Sequence, residues 1–187
     1  MSHNNKRKIQ NDVVPQKSIS KINNANNLTD LYNKLNISFD ISFAGCFYSI
    51  NEKYFNNCLK DALDFVQQYK TCVTTLNKLS SKTLYELMST GEFRHCHPIT
   101  GKDEEKAYRI IKRLCGKVGL GEEYFEQNIG SEKIYQIGFD GALRIFGAIR
   151  GNVFRIFFID YFHHFDYDET KNYRDLKNYK FCPMSHR

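Results

Sequence analysis

Residues 133–160 read KIYQIGFDGALRIFGAIRGNVFRIFFID, and the period of this stretch decides the fold. Apolar and polar positions alternate, and Asp140-Gly141 and Gly151-Asn152 divide the run as two-residue turns. Asp-Gly between alternating segments is a strong hairpin signal, so three antiparallel strands are predicted over Lys133–Phe139, Ala142–Ile149 and Val153–Asp160. Turns this short also fix register. Arg150 then opposes Val153, Ala148 opposes Arg155, Phe146 opposes Phe157 and Arg144 opposes Ile159. Across the other turn, Ile137 opposes Arg144 and Tyr135 opposes Phe146. One face of this meander holds Ile134, Leu143, Ile145, Ile149, Phe154, Ile156 and Phe158 and must pack on helices. The other holds Lys133, Tyr135, Phe139, Arg144, Phe146, Arg150, Arg155 and Phe157, with Tyr161 and His163 next if the last strand continues. Cations set among aromatic rings on a sheet suit RNA, because bases stack on rings while guanidinium groups bind phosphate. Ile137, Val153 and Ile159 share that side, so pairing of the arginines with helix carboxylates is the competing use.

Upstream the period changes. Ile37 to Phe43 alternates strictly and reads as a half-buried strand. Phe55, Cys58, Leu59, Ala62, Leu63, Val66 and Tyr69 fall three and four apart, one face of a helix that runs on through Val73 and Leu76. Ser80-Ser81 caps a short helix carrying Leu84, Leu87 and Met88. A third helix follows Gly101, with Asp103, Glu104 and Glu105 in its first turn, where the dipole favours anions. Its stripe is Ala107, Ile110, Ile111, Leu114, Cys115 and Val118, and Lys106, Arg109, Lys112, Arg113 and Lys117 fill the rest. The glycine-rich stretch 116–121 ends this helix and lacks the order of a phosphate loop. The reading is an α+β fold: a basic, asparagine-rich arm over 1–27, then one domain over 28–187. Within it lie a helical part (51–125), the meander (131–165) and a tail (170–187).

Composition bounds the function. The 187 residues carry 27 Lys and Arg against 21 Asp and Glu, a net +6 that permits nucleic acid without requiring it. No apolar run is long enough for a membrane span, and no heptad repeat marks a coiled coil. Cys46, Cys58, Cys72, Cys96, Cys115 and Cys182 include no CxxC pair, and a chain of this length needs no disulfide framework. They are read as reduced thiols of a cytoplasmic protein.

The order of helices followed by strands reading Leu143-Arg144-Ile145-Phe146-Gly147 and Phe154-Arg155-Ile156-Phe157-Phe158-Ile159-Asp160, then His163-His164-Phe165-Asp166-Tyr167, resembles the RelE/ParE superfamily of toxin–antitoxin toxins. Arg144, His163, His164 and Tyr167 stand where that superfamily commonly has an arginine, a histidine or arginine cluster and a tyrosine. The likeness covers about 40 residues; the chain is nearly twice the usual toxin size, and His164 replaces the usual arginine. It implies an endoribonuclease needing neither metal nor cofactor, of a toxin–antitoxin or phage-defence system. Its partners would be RNA or ribosome-bound mRNA and a small antitoxin protein. Other members poison gyrase instead.

Such cleavage needs a base for the 2′-hydroxyl and positive charge on the phosphate. Arg144 and Arg155 are the candidates for the charge, His163 for the acid or base, and Tyr167 for orienting or stacking. Lys133, Tyr135, Arg150, Tyr161 and His164 are the candidate RNA contacts. A histidine pair ending a strand also fits a turn with local hydrogen bonds. Two other function classes stay open: a non-catalytic interaction module using the aromatic sheet face, and a scaffold stabilised by zinc between His95-Cys96-His97 and Cys182/His186.

Overall fold

The computed structural model describes residues 34–52, 54–89, 93–139, 141–166 and 179–185. Tyr167, Asp140, His186 and the predicted 1–27 arm lie outside them. In chain order the elements are β1 (Ser38–Asp40), a 3-10 turn (Ala44–Phe47), β2 (Asn51–Glu52), β3 (Phe55–Asn56), α1 (Ala62–Ser80), α2 (Leu84–Ser89), β4 (His97–Pro98), α3 (Lys102–Lys117), α4 (Glu122–Asn128), β5 (Ile134–Ile137), β6 (Arg144–Arg150) and β7 (Val153–Asp160). Helices and a mixed sheet make the fold α+β. The five-stranded sheet runs β1-β7-β6-β5-β4, with β1 parallel to β7 and every other pair antiparallel. β2 and β3 pair separately.

Register departs from the sequence expectation in two places, and each reassigns side chains. The Gly151-Asn152 turn sets Arg150 opposite Val153 and Ala148 opposite Arg155, as read. Past Gly147 the ladder slips by one: Phe146 faces Phe158 and Arg144 faces Asp160. Phe157 is the extra residue of a β-bulge. Gly147 permits it, since a Cβ there would overlap the Arg155 carbonyl and lie 2.6 Å from Phe154 Cε1. On the other side, Gln136 faces Phe146 and Tyr135 faces Gly147. The connection from β5 to β6 is six residues long, with Gly141 at φ +73, instead of a two-residue turn. A one-residue slip moves every side chain to the opposite face. Lys133 and Tyr135 therefore do not share the face of Arg144 and Arg155.

Nor is that face open. Phe146, Phe157 and Phe158 are fully buried, and Phe146 stacks on Phe158 with ring centroids 4.4 Å apart. Phe165 and Phe55 close over them. The core lies on both sides of the sheet.

α3 buries the predicted stripe Ala107, Ile110, Ile111, Leu114 and Cys115. α1 does not follow its prediction. It begins only at Ala62, because Asp61 is extended and accepts the Asp64 N–H at 2.9 Å, an N-cap. Phe55 belongs to β3, and Leu59 bridges to Phe181. The helix buries Cys72, Thr75 and Leu79, while Leu63, Val66, Tyr69 and Val73 remain 67, 60, 52 and 46% exposed. The inward stripe was hidden because polar Thr75 stands in it. All six thiols are free and buried.

Candidate functional site

Where β7 ends, the chain turns sharply. Asp160 is completely buried, and its carboxylate accepts the Phe162 N–H at 3.2 Å and the Phe165 N–H at 2.7 Å. This holds a tight loop in which His163 has φ +58, a left-handed conformation that costs a non-glycine residue about 1–2 kcal/mol. Strain of this kind persists where the surroundings fix it, often at functional sites. The turn presents His163, half-exposed, with Nε2 bonded to Asp166 Oδ2 at 2.9 Å. That hydrogen bond holds the Asp166 carboxyl below the usual range. His164 points away: its Nδ1 accepts the Asn56 N–H at 2.8 Å, and burial lowers its pKa.

Arg144, across the ladder from Asp160, is 3% exposed. Its side chain folds back over Gly138, where a Cβ would sit 3.1 Å from Arg144 Cδ. Nη1 donates to the Gly141 and Leu143 carbonyls, each at 2.8 Å, which shapes the six-residue connection. Nη2 lies 3.2 Å from His95 Nδ1, and Nε is buried without a hydrogen-bond partner. A guanidinium group has no acceptor, so His95 Nδ1 must accept and its proton sits on Nε2. The longer contact from Arg94 Nε to His95 Nε2, 3.4 Å, cannot be a hydrogen bond in the same tautomer. Burial, then the Arg144 charge, lowers the His95 pKa, so the ring is neutral.

Lys106 of α3 completes the cluster. Its ammonium donates to the Phe165 carbonyl and lies 4.7 Å from the centre of the Phe165 ring. Burial lowers its pKa, and the Asp160 and Asp166 charges oppose that shift. Burial pushes the Asp160 carboxyl up, while its backbone N–H bonds pull it down. Charge links these groups in a chain: His95 feels Arg144 and His163, Arg144 and Lys106 each feel Asp160 and Asp166, and Asp166 is held by His163.

Of the residues read from sequence, Arg144 and His163 meet here. Arg155 does not: it lies near the Gly151 end of β7, donates to Tyr124 Oη at 2.9 Å and sits 3.9 Å from Asp40. Arg150 is exposed but bonded to Glu132. Tyr161 is buried, and that burial raises its pKa far above the ordinary phenol value. These placements, like those of Lys133 and Tyr135, remove the predicted open sheet face. Tyr167 lies outside the described residues. Sequence reading passed over Lys106, Asp160 and Asp166 and assigned His95 to a metal cluster.

Cys96 Sγ donates to the Gly138 carbonyl, His97 Nε2 meets Gln136, and Cys182 Sγ accepts the Ser49 N–H. Among the described residues, no group of three or more His, Cys, Asp or Glu is placed to hold a metal ion. No helix there is long and apolar enough to cross a membrane.

A family model described as "Uncharacterised protein UU032" matches residues 42–187. The chain belongs to this family. The matched span takes in everything from the 3-10 turn to the histidine loop. A relative, "Uncharacterized protein UU032" of Ureaplasma parvum serovar 3, is 26% identical over 138 residues, covering 72% of this chain and 74% of its own. No solved structure matches. The matched span includes His95, Lys106, Arg144, Asp160, His163 and Asp166.

Proposed function

We propose that this chain is a toxin-like RNA-binding protein that cleaves RNA without a metal, in line with its resemblance to the RelE/ParE superfamily. The observation that carries the reading is the pairing of a carboxylate-held histidine with a second, neutral histidine fixed by a buried arginine. With Nε2–H committed to Asp166, His163 offers Nδ1 to remove the 2′-hydroxyl proton. His95 carries Nε2–H as a donor to a non-bridging phosphate oxygen. Lys106 adds positive charge as the phosphorane forms, and solvent protonates the leaving 5′-oxygen. Arg144, buried, is a positioning residue that fixes His95, in place of the direct phosphate contact read from sequence.

The test is cleavage of a fluorogenic single-stranded RNA by the full chain in EDTA. His163→Ala should lower the rate about 10²–10⁴-fold, the contribution of one general base. Absence of cleavage, or equal rates for wild type and His163→Ala, refutes the reading.

A second reading, the non-catalytic interaction module, is favoured by one observation. The exposed Leu63, Val66, Tyr69 and Val73 row on α1 presents an apolar stripe of the sort that meets a partner. It moves the interaction from the sheet face, which is buried, to this helix. A co-purifying protein released by Val66→Glu, with no RNA cleavage, selects it.

A further inference from the structure

The cationic half of α3 forms a second feature, separate from the histidine loop. Arg109, Lys112, Arg113 and Lys117 line an open cleft of about 760 Å³ whose other walls are Ile50 and Glu52. Gly116 sits in the same lining, exposed, and a Cβ there would meet nothing within 4 Å. One acid answers four bases. Glu52 pairs with Arg113 at 3.2 Å, and Lys112 is bonded to Glu122 outside the lining. Among the described residues Arg109 and Lys117 have no ion-pair partner.

Arg109, Arg113 and Lys117 are four apart, which sets them in a row about 12 Å long on one helix face. A row of that length exceeds one phosphate and suits a chain of them. Three features argue for a nucleic-acid backbone. The lining has no aromatic ring for a base, its one apolar side chain is the buried Ile50, and the concave shape does not fit a flat lipid surface. Lys106, three residues before Arg109 on the same helix, feels the Arg109 charge and reaches the histidine loop through the Phe165 carbonyl.

We infer that this cleft binds the phosphodiester backbone of single-stranded RNA, without sequence preference, and leads it toward His163. The choice of RNA and the direction of threading rest on the cleavage reading above; affinity for a phosphodiester chain does not. Glu52 occupies Arg113 in the free protein and is displaced on binding, so it weakens the site.

The experiment measures anisotropy of a labelled 12-nucleotide RNA on full-length His163→Ala protein between 50 and 300 mM salt. Four neutralised phosphates give a slope of log K on log salt of about −2.8, and Arg109→Gln/Lys117→Gln should bring it to about −1.4. Gly116→Glu sets a carboxylate in the cleft without a clash and should weaken binding about tenfold. Glu52→Gln should tighten it. Melting temperatures within about 2 °C of the parent confirm intact folding. The inference falls if the double substitution leaves affinity within about twofold, or if millimolar inorganic phosphate displaces RNA as fully as unlabelled RNA does. It also falls if anionic vesicles, and not RNA, bind through these residues. Binding through the cleft with no cleavage by wild type overturns only the enzymatic reading. Cleavage unaffected by Arg109→Gln/Lys117→Gln overturns only the cleft.

Discussion

Arg144→Ala tests the buried network directly. The guanidinium donates to the Gly141 and Leu143 carbonyls and contacts His95, and it faces Asp160, which has no exposure at all. Charge-assisted bonds contribute roughly 1.5–3 kcal/mol each, but they share one side chain and do not add. Removing the side chain leaves two carbonyls and His95 Nδ1 without their donor, and breaking a buried hydrogen-bond network of this kind costs about 3–5 kcal/mol. For a chain of this length each kcal/mol lowers the melting point by about 2–4 °C, so a fall of roughly 6–20 °C is expected. Urea denaturation followed by circular dichroism, with calorimetry for the midpoint, measures it. Arg144→Met combined with Asp160→Asn, which keeps an acceptor for the loop N–H groups while removing the charge, should show a coupling of at least about 1 kcal/mol in the double-mutant cycle. A cost under about 1 kcal/mol, or strictly additive substitutions, refutes the account of a coupled buried network. The same arithmetic bears on function: lost cleavage in Arg144→Ala is uninformative unless the assay runs well below the variant's melting point.

Two further predictions use the same assays. Gly147→Ala must displace the Arg155 backbone carbonyl at the β7 bulge, so it should cost about 1–3 kcal/mol in denaturant; a change under about 0.5 kcal/mol would show that the ladder can relax there. His95 has a folded pKa below 6.5, so the unfolded chain binds the extra proton and stability falls as pH drops below 6.5. His164 acts in the same direction and Asp160 in the opposite one. His95→Asn keeps an acceptor near the Nδ1 position and cannot titrate, so its stability should decline less than wild type's between pH 6.5 and 5; parallel curves count against the tautomer argument.

The strands were legible because period two is written into residues 133–160, and Gly151-Asn152 gave correct pairing as far as Gly147. What failed was register beyond that glycine. Nothing local marks Phe157 as the extra residue; the bulge exists because Gly147 lets the Arg155 carbonyl approach. Asp140-Gly141 looked like a complete turn, yet Arg144 folds back to bind the carbonyls of Gly141 and Leu143 and widens the connection. Arg144 and His163 were legible as candidates because both fell on the predicted face of cations and aromatic rings and both match the RelE/ParE pattern; each lies close enough to Asp166 for its charge to act there. The contact that organises them, Arg144 to His95, spans 49 residues and left no trace in local pattern.

Those two slips also relocate the charge. In an open sheet face, Lys133, Arg144, Arg150 and Arg155 would act together on a ligand. With Lys133 on the other face, Arg144 and the largely buried Arg155 must each find compensation as they lose water, while Arg150 stays exposed. Arg150 takes Glu132, Arg155 takes Tyr124 and Asp40, and Arg144 takes carbonyl groups beside the buried Asp160. On α3 the situation reverses: the bases stand exposed around a concave wall, and Glu52 is the lone acid in its lining. There Arg109 and Lys117 are exposed and have no ion-pair partner among the described residues, so their charge reaches solvent. Charge reversal on the sheet should act through stability, and charge reversal on α3 through binding.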